Sequence, residues 1–297
     1  MRFLILCKNI DHGGNMLKKF LFLGSLCLST VSFAKYEPWN FTVLEGSLIK
    51  GNALPNGWGT SEKDVIFEIQ GTTRYDLLDL YWFVDRSNIF KDSSLSDKNG
   101  VDNNYTYGEI SPRVSIDGLV GKNLSIGPVS EWFIATQFDF DNVHGKSEWN
   151  GQNKGLRKYY VGIGNYISIP EMKYMKFDYF KTNLYARYVD KNYGRNEDQW
   201  DGYLFNIAYG GTIYKFENGM KFGFSGWLDY DFGAKNSSES NKQTHDSLQW
   251  QNQIRFYLNN NLSLSYTYQI NNHFSQVDQH SSNKNNESFG IHYAIMF

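Results

Sequence analysis

Cysteine is nearly missing from this chain. Its two examples, Cys7 and Cys27, both precede residue 35. The remainder can hold no disulfide, thiolate metal site or cysteine nucleophile. Proline is scarce, with five in 297 residues, which excludes a proline-rich linker architecture. Long apolar runs are missing as well, and mean hydropathy is −0.52. The one candidate, Phe20 to Val31, falls short of the roughly 20 residues that a spanning helix needs. There is no excess of positive charge: the formal net charge is −2, which gives no support for a nucleic-acid partner. The six histidines are scattered, none at ligand spacing within a strand, so no metal or other cofactor is expected. No G-x-x-x-x-G-K-[ST] run occurs, so nucleotide hydrolysis is not suggested.

Aromatic residues are what the chain has in excess: 21 Tyr, 22 Phe and 8 Trp, with 27 Gly. The N-terminus reads as a secretory signal. Lys18-Lys19 precede the apolar stretch, and Ser32-Phe33-Ala34 ends it, a small-x-small pattern that predicts cleavage after Ala34. Met1 to Asn15 does not fit such a signal, which points to Met16 as the start. Residues 1–34 carry Arg2, Lys8, Lys18 and Lys19 against Asp11, a charge of +3, so taking +3 from −2 leaves −5 for residues 35–297. Those residues show no linker and form one predicted domain.

The rest of the chain alternates. The last ten residues put Phe289, Ile291, Tyr293, Ile295 and Phe297 on one parity and Ser288, Gly290, His292, Ala294 and Met296 on the other. In a strand these parities point to opposite faces. A bulky apolar face backed by a small polar one is what a transmembrane β-strand shows, lipid outside and lumen inside. The same rhythm predicts strands over 39–50, 64–70, 77–85, 105–116, 131–140, 156–169, 177–189, 200–214, 220–231, 246–258, 262–270 and 288–297. Thr72 to Asp76 reads as a turn, Pro112 as a bulge within its strand, and 117–130 as a long Gly-rich connection. Glu217-Asn218-Gly219 and Asn259-Asn260-Asn261 read as turns. Long polar connections mostly alternate with short ones, as extracellular loops and periplasmic turns do in outer-membrane barrels. The fold class expected is all-β: a transmembrane, antiparallel, up-and-down β-barrel of twelve strands.

The inward parity is where function would sit. It carries Asp79, Tyr81, Phe83 and Asp85, then Glu109 and Arg113, then Glu131, Phe133 and Gln137. Farther along come Lys181, Asn183, Tyr185 and Arg187, and finally Gln253, Arg255 and Tyr257. Charges of both signs interleave with rings, which suits a solute having a flat face and hydrogen-bonding groups. The bland alternative is that these charges pair to fill the barrel. Twelve strands fall between filled eight-stranded barrels and wide sixteen-stranded porins, so a narrow lumen is expected. Two H-x-S-type clusters, His245-Asp246-Ser247 at the start of a strand and His280-Ser281-Ser282 in a polar loop, give weak support for an outer-membrane phospholipase; the protein is read as a non-enzyme. General diffusion of small solutes and a purely structural or adhesive barrel are the other readings.

Specific motifs then appear. The run E-I-S-P-R-V-S-I-D begins at Glu109 and L-S-I-G-P-V-S-E-W-F ends at Phe133. Tyr185 to Tyr203 reads Y-A-R-Y-V-D-K-N-Y-G-R-N-E-D-Q-W-D-G-Y. Together with Asp79–Asp85, these stretches resemble the nucleoside-specific channel-forming outer-membrane porins, the Tsx-like family. The resemblance implies a monomeric twelve-stranded barrel in the bacterial outer membrane, passing nucleosides through an aromatic and ionisable lumen. It implies channel-lining roles for Tyr81, Glu109, Arg113, Tyr185 and Arg187. It also implies an aromatic near the start of the first extracellular loop, where this chain has Gly51-Asn52. The partners expected are nucleosides as solutes, outer-membrane lipid, and the barrel-assembly machinery through Phe297, with no nucleic acid.

Overall fold

Period-two alternation can be satisfied only where both faces find a suitable solvent, and here it closes a sheet on itself. The computed structural model describes residues 40–51, 64–86, 89, 105–145, 155–235, 243–273, 276 and 285–297. The proposed signal segment, Asn52 of the first loop and the His280 cluster lie outside these residues. Twelve strands follow in order: β1 (Phe41–Gly51), β2 (Asp64–Tyr75), β3 (Leu78–Arg86), β4 (Thr106–Ser115), β5 (Val129–Asp141) and β6 (Leu156–Ile167). Then come β7 (Lys176–Asn192), β8 (Gln199–Lys215), β9 (Lys221–Phe232), β10 (Ser247–Tyr257), β11 (Leu262–Asn272) and β12 (Asn286–Met296). Each pairs antiparallel with its sequence neighbour, and β1 pairs with β12, from Val43↔Met296 to Gly51↔Ser288, so the barrel is closed. Closure leaves no unpaired edge, which hydrocarbon would penalise.

The two parities separate as expected. Ile163, Leu184, Ile254 and Ile291 are 57%, 52%, 55% and 55% exposed on the outside, whereas His292, between two outward residues of β12, is 1% exposed. In water an apolar girdle of this extent would be costly, at about 25 cal/mol per Å²; in a bilayer it is the matching surface. Rings gather toward both rims of the girdle. Tyr188 meets both Tyr159 and Trp200 toward the long loops, and Phe216, Phe222 and Phe256 contact one another near the turns. Such belts mark the two interfaces of a membrane barrel. One ring also locks register. A side chain at Gly226 would place its Cβ 2.6 Å from the Tyr209 hydroxyl. With glycine there, Tyr209 crosses β9, donates to Asn252 Oδ1 at 2.6 Å and accepts from Trp250 Nε1 at 3.1 Å.

Four sequence expectations need correcting. The Thr72–Asp76 turn is strand as far as Tyr75, and the chain reverses at Asp76 and Leu77. Pro112 makes no bulge: it pairs with Leu80, and the β4–β5 register is the same on either side of it. Thr136 Oγ1 donates to the Pro112 carbonyl at 2.9 Å instead. Residues 190–192, read as loop, extend β7. The 116–128 connection is folded, containing helix α1 (Ile116–Val120), capped by Ser115, whose hydroxyl accepts from Gly118 N at 3.0 Å. Buried Asp117 holds the connection to the barrel by accepting from Leu124 N at 2.7 Å and Trp132 N at 2.9 Å. Lone turn residues carry no period, which is why propensity alone misplaced these features.

Candidate functional site: the barrel lumen

The lumen-facing parity is organised around four groups of side chains. Nearest the short turns, Asp79 of β3 is a hub. It pairs with Arg113 of β4, accepts from Tyr166 of β6 at 2.8 Å and meets Lys181 of β7 at 3.4 Å. Strands β3 and β7 are not neighbours in the wall, so these contacts reach across the interior. The Arg113 guanidinium lies 4.3 Å from the Phe133 ring centre and 4.7 Å from that of Tyr166. Arg74 covers the same Phe133 ring at 5.1 Å and pairs with Glu131 at 2.6 Å. Desolvated guanidinium–ring contacts of this kind are worth ~2 kcal/mol, and the knot ties β2 to β7 together.

Above it runs a ladder of rings. Tyr81 and Phe83 are 5.9 Å apart, and Phe83 and Tyr107 are 5.7 Å apart. Tyr81 donates to Gln70 at 3.1 Å. Glu109 stands opposite Phe83 in register and accepts from Ser111. A second ring pair, Tyr160 and Tyr185, meets edge to face at 5.9 Å. Tyr160 donates to Asp139 at 2.8 Å, and Gln137 donates to the same carboxyl at 2.9 Å.

Toward the long loops, Arg187 is fully buried and uses its donors within the protein. It donates to the Asp201 carbonyl at 2.8 Å, pairs with Asp231 at 2.7 Å and reaches Gln276. Tyr105 and Tyr193 hydrogen bond at 3.3 Å at this end of the barrel. Burial, and next the other's hydroxyl for Tyr105 and Asp141 for Tyr193, pushes both phenols above their ordinary range, so they stay neutral.

On the β10–β12–β1 side, Arg255 forms a two-pronged pair with Glu45 at 2.7 and 2.9 Å and donates to Gln253 at 3.0 Å. His292 links the group: Nδ1 lies 2.7 Å from Ser47 and Nε2 lies 2.7 Å from Ser265. Gln253 completes it by donating to Thr267 at 3.1 Å.

All twelve residues selected from the sequence for the site therefore lie on the inward parity. They fall into separate groups. Asp79, Arg113, Phe133 and Lys181 come together; Tyr81, Phe83 and Glu109 adjoin along β3 and β4; Gln137 and Tyr185 flank Tyr160; Gln253 and Arg255 pair, and Arg187 stands apart. Sequence reasoning missed Glu45, Arg74, Tyr160, Tyr166 and His292 as participants. Arg74 fell in the stretch read as a turn, and Glu45 in a strand of imperfect alternation. The tyrosines occupy the parity of β6 opposite its aliphatic one, where the alternation itself was the available signal. Of the H-x-S clusters, His245 pairs with Asp246 at 2.7 Å while the Ser247 hydroxyl donates to Asp231 at 2.8 Å. That serine engages Asp231 rather than His245. Among the described residues, no group of three or more His, Cys, Asp or Glu could hold a metal ion.

Comparison with known proteins agrees with the fold. The family model for "Nucleoside-specific channel-forming protein, Tsx" matches residues 49–297. Outer membrane protein OmpK of Vibrio parahaemolyticus is 35% identical over 62% of this chain and 63% of its own length. The nucleoside-specific channel-forming protein Tsx of Salmonella typhimurium is 32% identical over 61% of this chain and 60% of its own. The match thus spans less than two thirds of either relative. A closed barrel with an apolar girdle and a polar interior, matched by this family over most of its length, is an outer-membrane protein: the chain belongs to the Tsx family of nucleoside-specific channel-forming proteins.

Proposed function

We propose that the barrel is a passive channel that passes nucleosides. The observation that carries this reading is the ladder Tyr81–Phe83–Tyr107 with the Glu109 carboxyl alongside it. A nucleobase presents two flat faces and a hydrogen-bonding edge, and rings that adjoin along a wall offer successive stacking positions. Base–aromatic stacking is worth about 1–3 kcal/mol per base, enough to select a solute and weak enough to release it to the next ring. Cross-lumen contacts from β3 to β6 and β7 favour a narrow passage, where such rings touch whatever passes. The solute-contacting residues proposed are Tyr81, Phe83 and Glu109, with Tyr185, which is 1% exposed, packed behind the lumen surface. Asp79, Arg113, Phe133 and Lys181 shape the constriction; Gln137, Arg187, Gln253 and Arg255 hold the wall.

The same reading makes the protein a monomer in outer-membrane lipid, its C-terminal Phe297 presented to the assembly machinery, and it assigns no enzymatic step. His292 meets Ser47 and Ser265 through its two ring nitrogens, so the ring bridges β1, β11 and β12. The test is single-channel conductance in planar bilayers. Block by adenosine or thymidine at sub-millimolar concentration is expected; passage of ions with no block by any nucleoside would mean a general diffusion pore.

A further inference from the structure

The wall formed by β9 to β12 toward the long loops differs from the rest of the lumen, because amides stand there in place of ion pairs. In register, Gln249 faces Asn271 and Gln269 faces Asn286, so four amides share one patch. Gln269 Nε2 donates to Asn271 Oδ1 at 2.9 Å. Gln249 and Asn286 are 6% and 4% exposed, yet Gln249 Nε2 and Asn286 Oδ1 have no hydrogen-bond partner. Buried polar atoms of folded proteins nearly always have one. An open donor and an open acceptor in one patch therefore point to a ligand that supplies both. Two neighbours narrow the ligand's chemistry. Trp227 faces inward opposite Gln251, and Asp229 stands opposite Gln249. Asp229 takes Asn206 on one oxygen at 2.6 Å. No Lys or Arg occupies the inward positions of β9–β12 between Trp227 and the loops.

A hydroxyl donates and accepts at once, which matches an amide with both atoms to offer. The C–H face of a sugar ring packs on an indole. Arg187, which reaches this end from β7, already spends its donors on Asp231, the Asp201 carbonyl and Gln276 rather than on a phosphate, and a bare nucleobase would have little use for the amide pair. We propose that this patch is a subsite for the pentose of a nucleoside, its hydroxyls pairing with Gln249 and Asn286 and its ring lying against Trp227. The inference rests on the nucleoside reading and assigns the sugar to a different wall from the aromatic ladder.

The experiment compares block of single-channel current by adenosine, 2′,3′-dideoxyadenosine and adenine. It uses the full-length protein and a Gln249→Met/Asn286→Leu variant, with folding checked by heat-dependent gel mobility. Should the double variant not fold, Gln249→Met alone serves. In the unaltered protein, adenosine blocks at a concentration roughly fivefold or more below dideoxyadenosine, the effect of one net hydrogen bond. The variant loses that difference while its response to dideoxyadenosine is unchanged. A difference that survives the substitutions, or is absent from the start although nucleosides block, overturns the subsite. If none of the three compounds blocks, the nucleoside reading fails, and D-ribose entry into proteoliposomes decides the patch separately. Entry at least about twofold slower through the variant upholds a sugar subsite, whereas equal rates overturn it.

Discussion

Leu184→Arg tests the two-solvent reading of the barrel at its most demanding point. Leu184 is 52% exposed, lies ninth in the seventeen-residue β7, and pairs with Ile163 and Phe205. Outward rings flank it four residues away on each side, Phe180 and Tyr188. At about 2.5 Å of membrane depth per residue in a tilted strand, those rings stand ~10 Å above and below it, placing Leu184 near the centre of a band about 25 Å tall. Arginine at that depth costs about 2–4 kcal/mol, which shifts the folding equilibrium by roughly 30- to 700-fold. The matched control is Gln251→Arg, a half-buried inward position between Trp227 and Gln269, where the charge meets water and costs less than about 1 kcal/mol. Urea-dependent folding into lipid vesicles, followed by tryptophan fluorescence and gel mobility, measures both. Equal losses from the two substitutions, or no loss at Leu184, would refute the assignment of faces and with it the membrane setting.

The other expectations follow from named contacts. Phe83→Ala removes the middle ring of the ladder and should raise conductance and weaken nucleoside block by roughly 5- to 150-fold, the range expected for one stacking contact; an unchanged blocking concentration counts against the ladder. Asp79→Asn leaves Arg113 and Lys181 without their shared carboxylate and should cost about 1–3 kcal/mol while moving the reversal potential toward anion preference in a salt gradient. Gly226→Ala drives a methyl into the Tyr209 hydroxyl and the Gln251 carbonyl, which lies 2.4 Å from the Cβ position, and should destabilise by about 1–3 kcal/mol in the same vesicle assay. Asp117→Ala removes two backbone hydrogen bonds from the connection after α1 and should cost about 1–3 kcal/mol; faster proteolysis at 121–128 is the direct readout.

The alternation of residues by itself determined a great deal. With side chains pointing to opposite faces at every step, a chain that sets Phe289, Ile291 and Tyr293 against Gly290 and His292, repeated over twelve stretches, fits a wall between hydrocarbon and water. Twelve such stretches, and the inward placement of Asp79, Tyr81, Arg113 and Arg255, were legible for that reason. Where alternation lapses, so does legibility. The first strand alternates imperfectly and the second was ended too early, so Glu45 and Arg74 went unnoticed, and α1 lay hidden in a stretch with no strand period. Which inward residues touch was the work of tertiary structure alone. Asp79 meets Lys181 because a closed sheet curves β7 round to face β3, and Arg255 reaches Glu45 because β1 closes against β12. Sequence spacing carries no trace of either distance, since curvature and closure are properties of the whole wall and of no single strand within it.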